Sequence, residues 1–386
     1  MCEVKRENMN RTDLRHKTDL RHKTDLRHKI RIVITGGHAT PALATIEVLE
    51  KNAEIYWIGE KEGIEGTGSK TLEYQVIPEK GIPFYPIKSA KIHPNIFKTF
   101  VNLWKLPVGL IQSLYFIAKI KPHVVLSFGS YVAVPAAFSA WILGIPVVTH
   151  EQTTVPGLAN RIVGFLSKKI AITFPGTYGT NKKVVLTGNP TRKGFFNRLK
   201  RKSRKIPTIF VTGGSRGSSI INENISEILN KLLKKYRVFH QTGILESQKV
   251  QKVKDSLSQS SKDRYHIAPN YTPEKFEERL LNSDLVISRA GANTVLEIAA
   301  TGTPAILIPI PWSGGGEQVK NAKILEESGI AKVLNQDSLT SQKLLKAIEE
   351  MLKAPPSKDQ KLKAKKLTVP KAAENLARLV LETANE

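Results

Sequence analysis

Two Thr-Gly-Gly turns have the residue types and spacing to do chemistry. The first, Thr35-Gly36-Gly37, closes an apolar run and is followed at once by His38; the second, Thr212-Gly213-Gly214, is followed by Ser215. In both, an apolar run breaks on glycines and passes into a helical pattern. That leaves unpaired backbone N–H groups at a helix N-terminus, a natural seat for phosphate. A histidine beside such a seat suits proton transfer, because its pKa lies near neutral pH. A third glycine turn, Ala290-Gly291-Ala292-Asn293-Thr294, opens a small-residue helix that carries Glu297.

A dinucleotide site is one chemistry these turns would serve. Its fingerprint, G-x-G-x-x-G, uses the third glycine for close helix–strand packing. Here Pro41 stands where that glycine should be, although Glu60, after the second strand, could serve as the ribose-binding acid. The turn at 213–217 fits only loosely, and no G-x-x-x-x-G-K-[ST] phosphate loop occurs.

The chain has 386 residues, 40% of them hydrophobic, enough for two domains. Its formal net charge of +25 points to an anionic partner: nucleic acid, a nucleotide phosphate or an anionic membrane surface. The single cysteine, Cys2, excludes a disulfide framework and a Cys-x-x-Cys metal site. Residues 1–29 are polar and contain TDLRHK three times in succession, which reads as a disordered tail rather than a signal peptide.

Val124 to Thr149 lacks any charged residue and is long enough to span a bilayer. Its punctuation instead indicates a buried strand–helix–strand unit, with Gly129, Pro135 and Gly144 at the joints. Strand patterns fall at 30–35, 54–59, 123–128, 146–150, 169–174, 208–212, 237–242, 284–289 and 304–309, mostly separated by helical patterns. Such alternation implies parallel doubly wound sheets. The segments 32–50 and 209–228 are alike, as are 124–151 and 285–311, so the expected architecture is two similar α/β domains in tandem. Sheets of this kind bind ligands at the carboxyl ends of their strands. Two facing domains would therefore enclose a cleft lined by both Thr-Gly-Gly turns.

TGGH with PALA, SFGSYVAVPAAFSAWILGIPVVTHEQ, VPGLANR, TGNPTR, VTGGSRG, HQTG and SRAGANTVLEIAATGTPAILIPIP occur in this order between residues 30 and 380. Together they resemble the MurG family, the undecaprenyldiphospho-muramoylpentapeptide β-N-acetylglucosaminyltransferases. The resemblance implies a GT-B fold, two Rossmann-like doubly wound domains facing across a cleft. It also implies inverting transfer of GlcNAc from UDP-GlcNAc to the MurNAc C4 hydroxyl of lipid I, with no cofactor and no metal. The domain limits expected on this basis are a tail at 1–29, an N-terminal acceptor and membrane domain at 30–190, and a basic linker at 191–206. A C-terminal donor domain at 207–365 follows, then a helix at 366–386 that packs back on the first domain.

Carried over residue by residue, His38 is the candidate that activates or orients the acceptor hydroxyl; a helix-capping role is its plain alternative. Thr35, Gly36, Gly37, Thr153, Arg192, Ser215, Tyr271, Ala292, Asn293, Thr294, Glu297 and Gln318 fall on the donor side. Tyr131, His150, Glu151 and Asn160 fall on the acceptor side. Arg192 would offset charge on the leaving diphosphate, Glu297 would accept from the ribose hydroxyls, and Gln318 would read GlcNAc hydroxyls. Three departures from the family pattern bear on donor geometry and acceptor identity: Val33 and Ile34 replace a Gly-Gly pair, Thr153 replaces an asparagine, and GGGEQ surrounds Gln318.

Ile96, Phe97, Phe100 and Trp104, with Lys98 and Lys105 among them, suit an anionic leaflet. A peripheral protein on the cytoplasmic face of the cell membrane is expected. The alternatives are another GT-B transferase, a UDP-GlcNAc 2-epimerase-like enzyme, and a nucleic-acid binder, the last lacking any nucleic-acid motif.

Overall fold

The computed structural model describes residues 29–62, 70–89, 105–196, 205–214 and 217–386. Thirteen strands among these residues form two sheets in which every pairing is parallel. The first comprises β1 (Ile30–Thr35), β2 (Ala53–Gly59), β3 (Phe84–Pro86), β4 (Val124–Ser127), β5 (Val147–Glu151), β6 (Lys169–Ile172) and β7 (Val184–Leu186), in the order β3-β2-β1-β4-β5-β6-β7. The second comprises β8 (Thr208–Thr212), β9 (Arg237–Gln241), β10 (Tyr265–Ala268), β11 (Leu285–Ser288), β12 (Ala305–Leu307) and β13 (Ala331–Val333), in the order β10-β9-β8-β11-β12-β13. Both sheets are doubly wound, and the chain is a GT-B fold.

Strand alternation divides each core in two. In β1, Ile32 and Ile34 face α1 (Ala39–Leu49) and the C-terminal helix α14 (Ala372–Asn385). Val33 faces the opposite layer, built from α3 (Lys105–Ile120), α4 (Ala133–Ile142) and α5 (Leu158–Leu166). In β8, Ile209 and Val211 pack on α6 (Ser219–Lys235) and α12 (Ser341–Lys353). Phe210 packs on α9 (Pro273–Leu281), α10 (Ala292–Thr301) and α11 (Glu317–Glu327). Leu376 and Val380 of α14 are wholly buried in the first domain's core, so the chain crosses back after completing the second sheet.

All nine expected strands form, within a residue or three of their expected limits. The uncharged stretch 124–149 is strand, helix, strand, and among the described residues no helix is long and apolar enough to cross a membrane. Four further strands, β3, β7, β10 and β13, are the edges of the two sheets. Each is short and mostly half-buried, so none carries the apolar run of a strand covered on both faces. Pro86 in β3 is a residue that only an edge tolerates. The start of the basic linker is packed rather than solvated: Thr191 and Arg192 are buried, and Phe195 joins the second domain's core.

Candidate active site

Strand order fixes where a site can form. From β1 the first sheet grows through β2 to β3 on one side, then resumes at β4 on the other, so the loops after β1 and β4 diverge at a switch point. There Gly36 has φ +137° and lies against Phe128, while Gly37 lies against Ser130; a Cβ on either would strike the facing loop. Gly129 and Ser130 are themselves left-handed, at φ +73° and +69°. Val33 and Ile34 are ordinary buried strand residues, paired to β2 and β4, so the turn begins only after Thr35. The Thr35 hydroxyl is buried without a partner among the described residues.

His38 occupies the N-cap position of α1, yet its side chain makes no cap hydrogen bond. Burial pushes its imidazole down to about 4. At neutral pH it is therefore an uncharged base, half-buried beside the switch point.

Of the four acceptor-side candidates, His150 lies near enough to His38 for their charges to interact. His150, in β5, has its Nε2 3.1 Å from the backbone oxygen of Gly188. A carbonyl only accepts, so Nε2 carries the proton and Nδ1 is a bare acceptor, buried without a partner among the described residues. Burial and the nearby His38 bring this imidazole also to about 4. The Glu151 carboxylate accepts from Thr153 N (2.9 Å), Thr153 Oγ1 (2.8 Å) and Asn160 Nδ2 (2.6 Å). Burial raises its pKa despite these bonds. Asn160 Oδ1 has no partner among the described residues, and Tyr131 is half-buried in the loop between β4 and α4. The Thr153 hydroxyl also lies 2.7 Å from the Val155 oxygen, so it is engaged within its own loop.

The second sheet repeats the switch between β8 and β11. Gly213 packs on Gly217 and Ser218, and Gly214 has φ +80°. Ser215 lies outside the described residues. After β11, α10 begins at Gly291 with no side-chain cap and open space beside it, so the first N–H groups, on Ala292, Asn293 and Thr294, are available to an anion. Glu297 follows in the same helix, 4% exposed, its carboxyl raised to about 7 by burial. Arg192 opposes that shift. Its guanidinium stands 3.5 Å from Glu277 and over the Phe195 ring, and its Nε is buried without a partner among the described residues. Tyr271 meets Phe210 edge-on. Gln318 spends its amide oxygen on Ile310 N, 3.1 Å away, and its amide nitrogen has no partner among the described residues.

Both sets of loops meet across the cleft. Asn189 Nδ2 donates to Asn293 Oδ1 (3.0 Å), and Gly315 lies against Val155. Asn189, Glu277 and Gln241 are residues to which the sequence alone assigns no role. Gln241 Nε2 donates to Gly214 O (3.0 Å) and approaches Asn270 Oδ1 (3.4 Å), tying the second glycine turn to the loop before Tyr271. Its motif, HQTG, is legible, but only the fold brings it beside Gly214. Ile96, Phe97, Phe100 and Trp104 lie outside the described residues.

Models of the glycosyltransferase family 28 N-terminal and C-terminal domains match residues 33–172 and 208–376. A Clostridium perfringens UDP-N-acetylglucosamine–N-acetylmuramyl-(pentapeptide) pyrophosphoryl-undecaprenol N-acetylglucosamine transferase is 36% identical over 84% of this chain and 90% of its own. A Treponema denticola protein of the same name is 36% identical over 78% of this chain and 81% of its own. The crystal structure of Acinetobacter baumannii MurG superposes with a TM-score of 0.68 at 25% identity, covering 92% of this chain and 99% of that one. A UDP-GlcNAc 2-epimerase from Neisseria meningitidis, bound to UDP-GlcNAc, reaches 0.64 at 13% identity over 92% and 100% of the two chains, a likeness of fold alone.

Proposed function

The chain belongs to glycosyltransferase family 28, among the MurG enzymes, and from that premise we propose that it transfers GlcNAc from UDP-GlcNAc to the MurNAc C4 hydroxyl of a lipid-linked muramyl pentapeptide. The observation that carries the chemistry is the division of labour across the cleft. On one wall stands an uncharged imidazole, His38, that makes no cap hydrogen bond to its helix. On the other stand an uncapped helix N-terminus, a buried guanidinium and a buried carboxyl.

In this reading the first turns of α1 and α10 hold the diphosphate, Glu297 accepts from the ribose, Tyr271 borders the base, and Gln318 offers its amide nitrogen to the sugar. His38 takes the proton as the acceptor oxygen attacks C1 of GlcNAc. The C1–O bond to the diphosphate breaks, and Arg192 with the helix N–H groups offsets the charge that develops on departing UDP. Attack from the face opposite the leaving group inverts C1. His150 and Glu151 shape the acceptor's seat, as Asn160 and Tyr131 do beside them. The activity belongs to peptidoglycan synthesis.

The direct test supplies radiolabelled UDP-GlcNAc and a lipid-linked muramyl pentapeptide analogue. Label should move into the organic-extractable lipid with release of one UDP per sugar. Label that stays water-soluble overturns the reading.

A lipid-linked acceptor brings the protein to an anionic membrane surface, and we place it on the cytoplasmic face. Ile111 and Tyr115 on α3, and Trp141 and Ile142 on α4, leave large apolar side chains 50–69% exposed on neighbouring helices. Apolar surface of this kind inserts shallowly at an interface. The protein should co-sediment with vesicles containing anionic lipid. Trp141→Glu combined with Ile111→Glu should release most of it while UDP-GlcNAc binding is unchanged; undiminished vesicle binding would remove this face from the interface.

A further inference from the structure

A cavity of about 460 Å³ lies beside the cleft in the first domain, between α5 and the segment joining β6 to β7. That is an ordinary size for a ligand site. Phe165 and Tyr178 supply aromatic wall, Thr177 and Asn181 supply polar groups, and the charged lining residues are Arg161 and Lys183, with no acid among them. Arg161 Nε donates to Pro156 O (3.2 Å), and Lys183 Nζ donates to Phe165 O (3.1 Å), so backbone carbonyls rather than carboxylates hold both side chains. The two terminal nitrogens of Arg161 have no partner among the described residues.

The cavity wall is bonded to the acceptor cluster. The Tyr178 hydroxyl donates to the backbone oxygen of Asn160 (2.9 Å), whose side chain donates to Glu151. Pro156, in the same wall, follows Val155, the residue that meets Gly315 across the cleft. A ligand seated at Glu151 and Asn160 therefore has this cavity as its neighbour.

Resting on the proposed function, we propose that the cavity receives the peptide of the acceptor, with Arg161 and Lys183 holding its carboxylate end. Three features favour a peptide over the other parts of that substrate. A planar carboxylate matches the two free terminal nitrogens of an arginine. Aromatic walls with interspersed hydroxyl and amide groups suit a peptide's mixed surface. A hydrocarbon tail gains nothing from two cations, and the diphosphates already have seats at uncapped helix ends.

The test compares two acceptor analogues that share lipid, diphosphate and muramyl sugar, one with the pentapeptide and one without. Arg161→Glu with Lys183→Glu should raise KM for the peptide-bearing acceptor at least tenfold. KM for the peptide-free acceptor, KM for UDP-GlcNAc and the melting temperature should stay within about twofold or 2 °C of the parent protein. Arg161→Lys should recover part of the loss. Equal changes for both acceptors, or no change for either, overturn the assignment. Failure of the unmodified protein to glycosylate either analogue sinks the functional reading itself, and this one with it.

Discussion

Replacement of His38 by alanine is expected to lower kcat for GlcNAc transfer by about 10²- to 10⁴-fold, the range that one general base contributes, while KM for UDP-GlcNAc moves little. The side chain makes no cap bond to α1, so its removal takes no capping hydrogen bond from that helix. Its depressed pKa, about 4, keeps it unprotonated across the neutral range. The acid limb of kcat that belongs to His38 therefore lies well below pH 6, not at the usual histidine value. His150 is a less suitable base: its Nε2 is fixed on Gly188 and it is only 2% exposed. A His38→Ala protein that keeps kcat within threefold removes His38 from the chemistry.

Glu297→Gln should raise KM for UDP-GlcNAc by roughly 10- to 100-fold with kcat reduced far less, the cost of losing a charged hydrogen-bond acceptor at the ribose. The pH dependence gives a separate readout. With the carboxyl raised to about 7 by burial, its charge is present above pH 7 and lost as pH falls through it. Donor affinity of the parent protein should weaken between pH 7.5 and 6, whereas that of Glu297→Gln should be flat. Stability should move the other way. A carboxyl whose folded pKa is raised above 4.5 destabilises the folded state increasingly from pH 4.5 up to about 7. The glutamine variant should then gain on the order of 3 kcal/mol at pH 8, a more stable protein with a poorer donor site. Identical pH profiles for donor affinity in the two proteins would sink the role given to Glu297.

Much of this was legible in the sequence because the fold's interior writes itself in apolar runs. Strands covered on both faces, such as Ile30–Thr35 and Val124–Ser127, cannot hide, whereas edge strands such as Ala331–Val333 need only one covered face and leave too little pattern. Both glycine turns were readable, since Gly36 combines a φ of +137° with close packing on Phe128, and Gly214 holds a left-handed φ of +80°. Side-chain allegiance was not. Thr153 stands in a motif facing the donor, but its hydroxyl turns back to Glu151 and Val155. The positive charge of the interdomain segment reads as solvated linker, yet Phe195 and Glu277 draw Arg192 into the second domain. Asn189 gains meaning only from Asn293, 104 residues away.

If His38 and the donor loops act on opposite faces of the sugar carbon, as proposed, C1 is inverted, and the anomeric configuration of the product reports it. UDP-GlcNAc carrying ¹³C at C1 is supplied with the lipid-linked muramyl pentapeptide, and the product is read by NMR. A β-linked GlcNAc on the C4 oxygen of MurNAc, formed together with UDP, is the predicted result. An α-linked product, or UDP accompanied by the free 2-epimer of the sugar and no glycolipid, would contradict it.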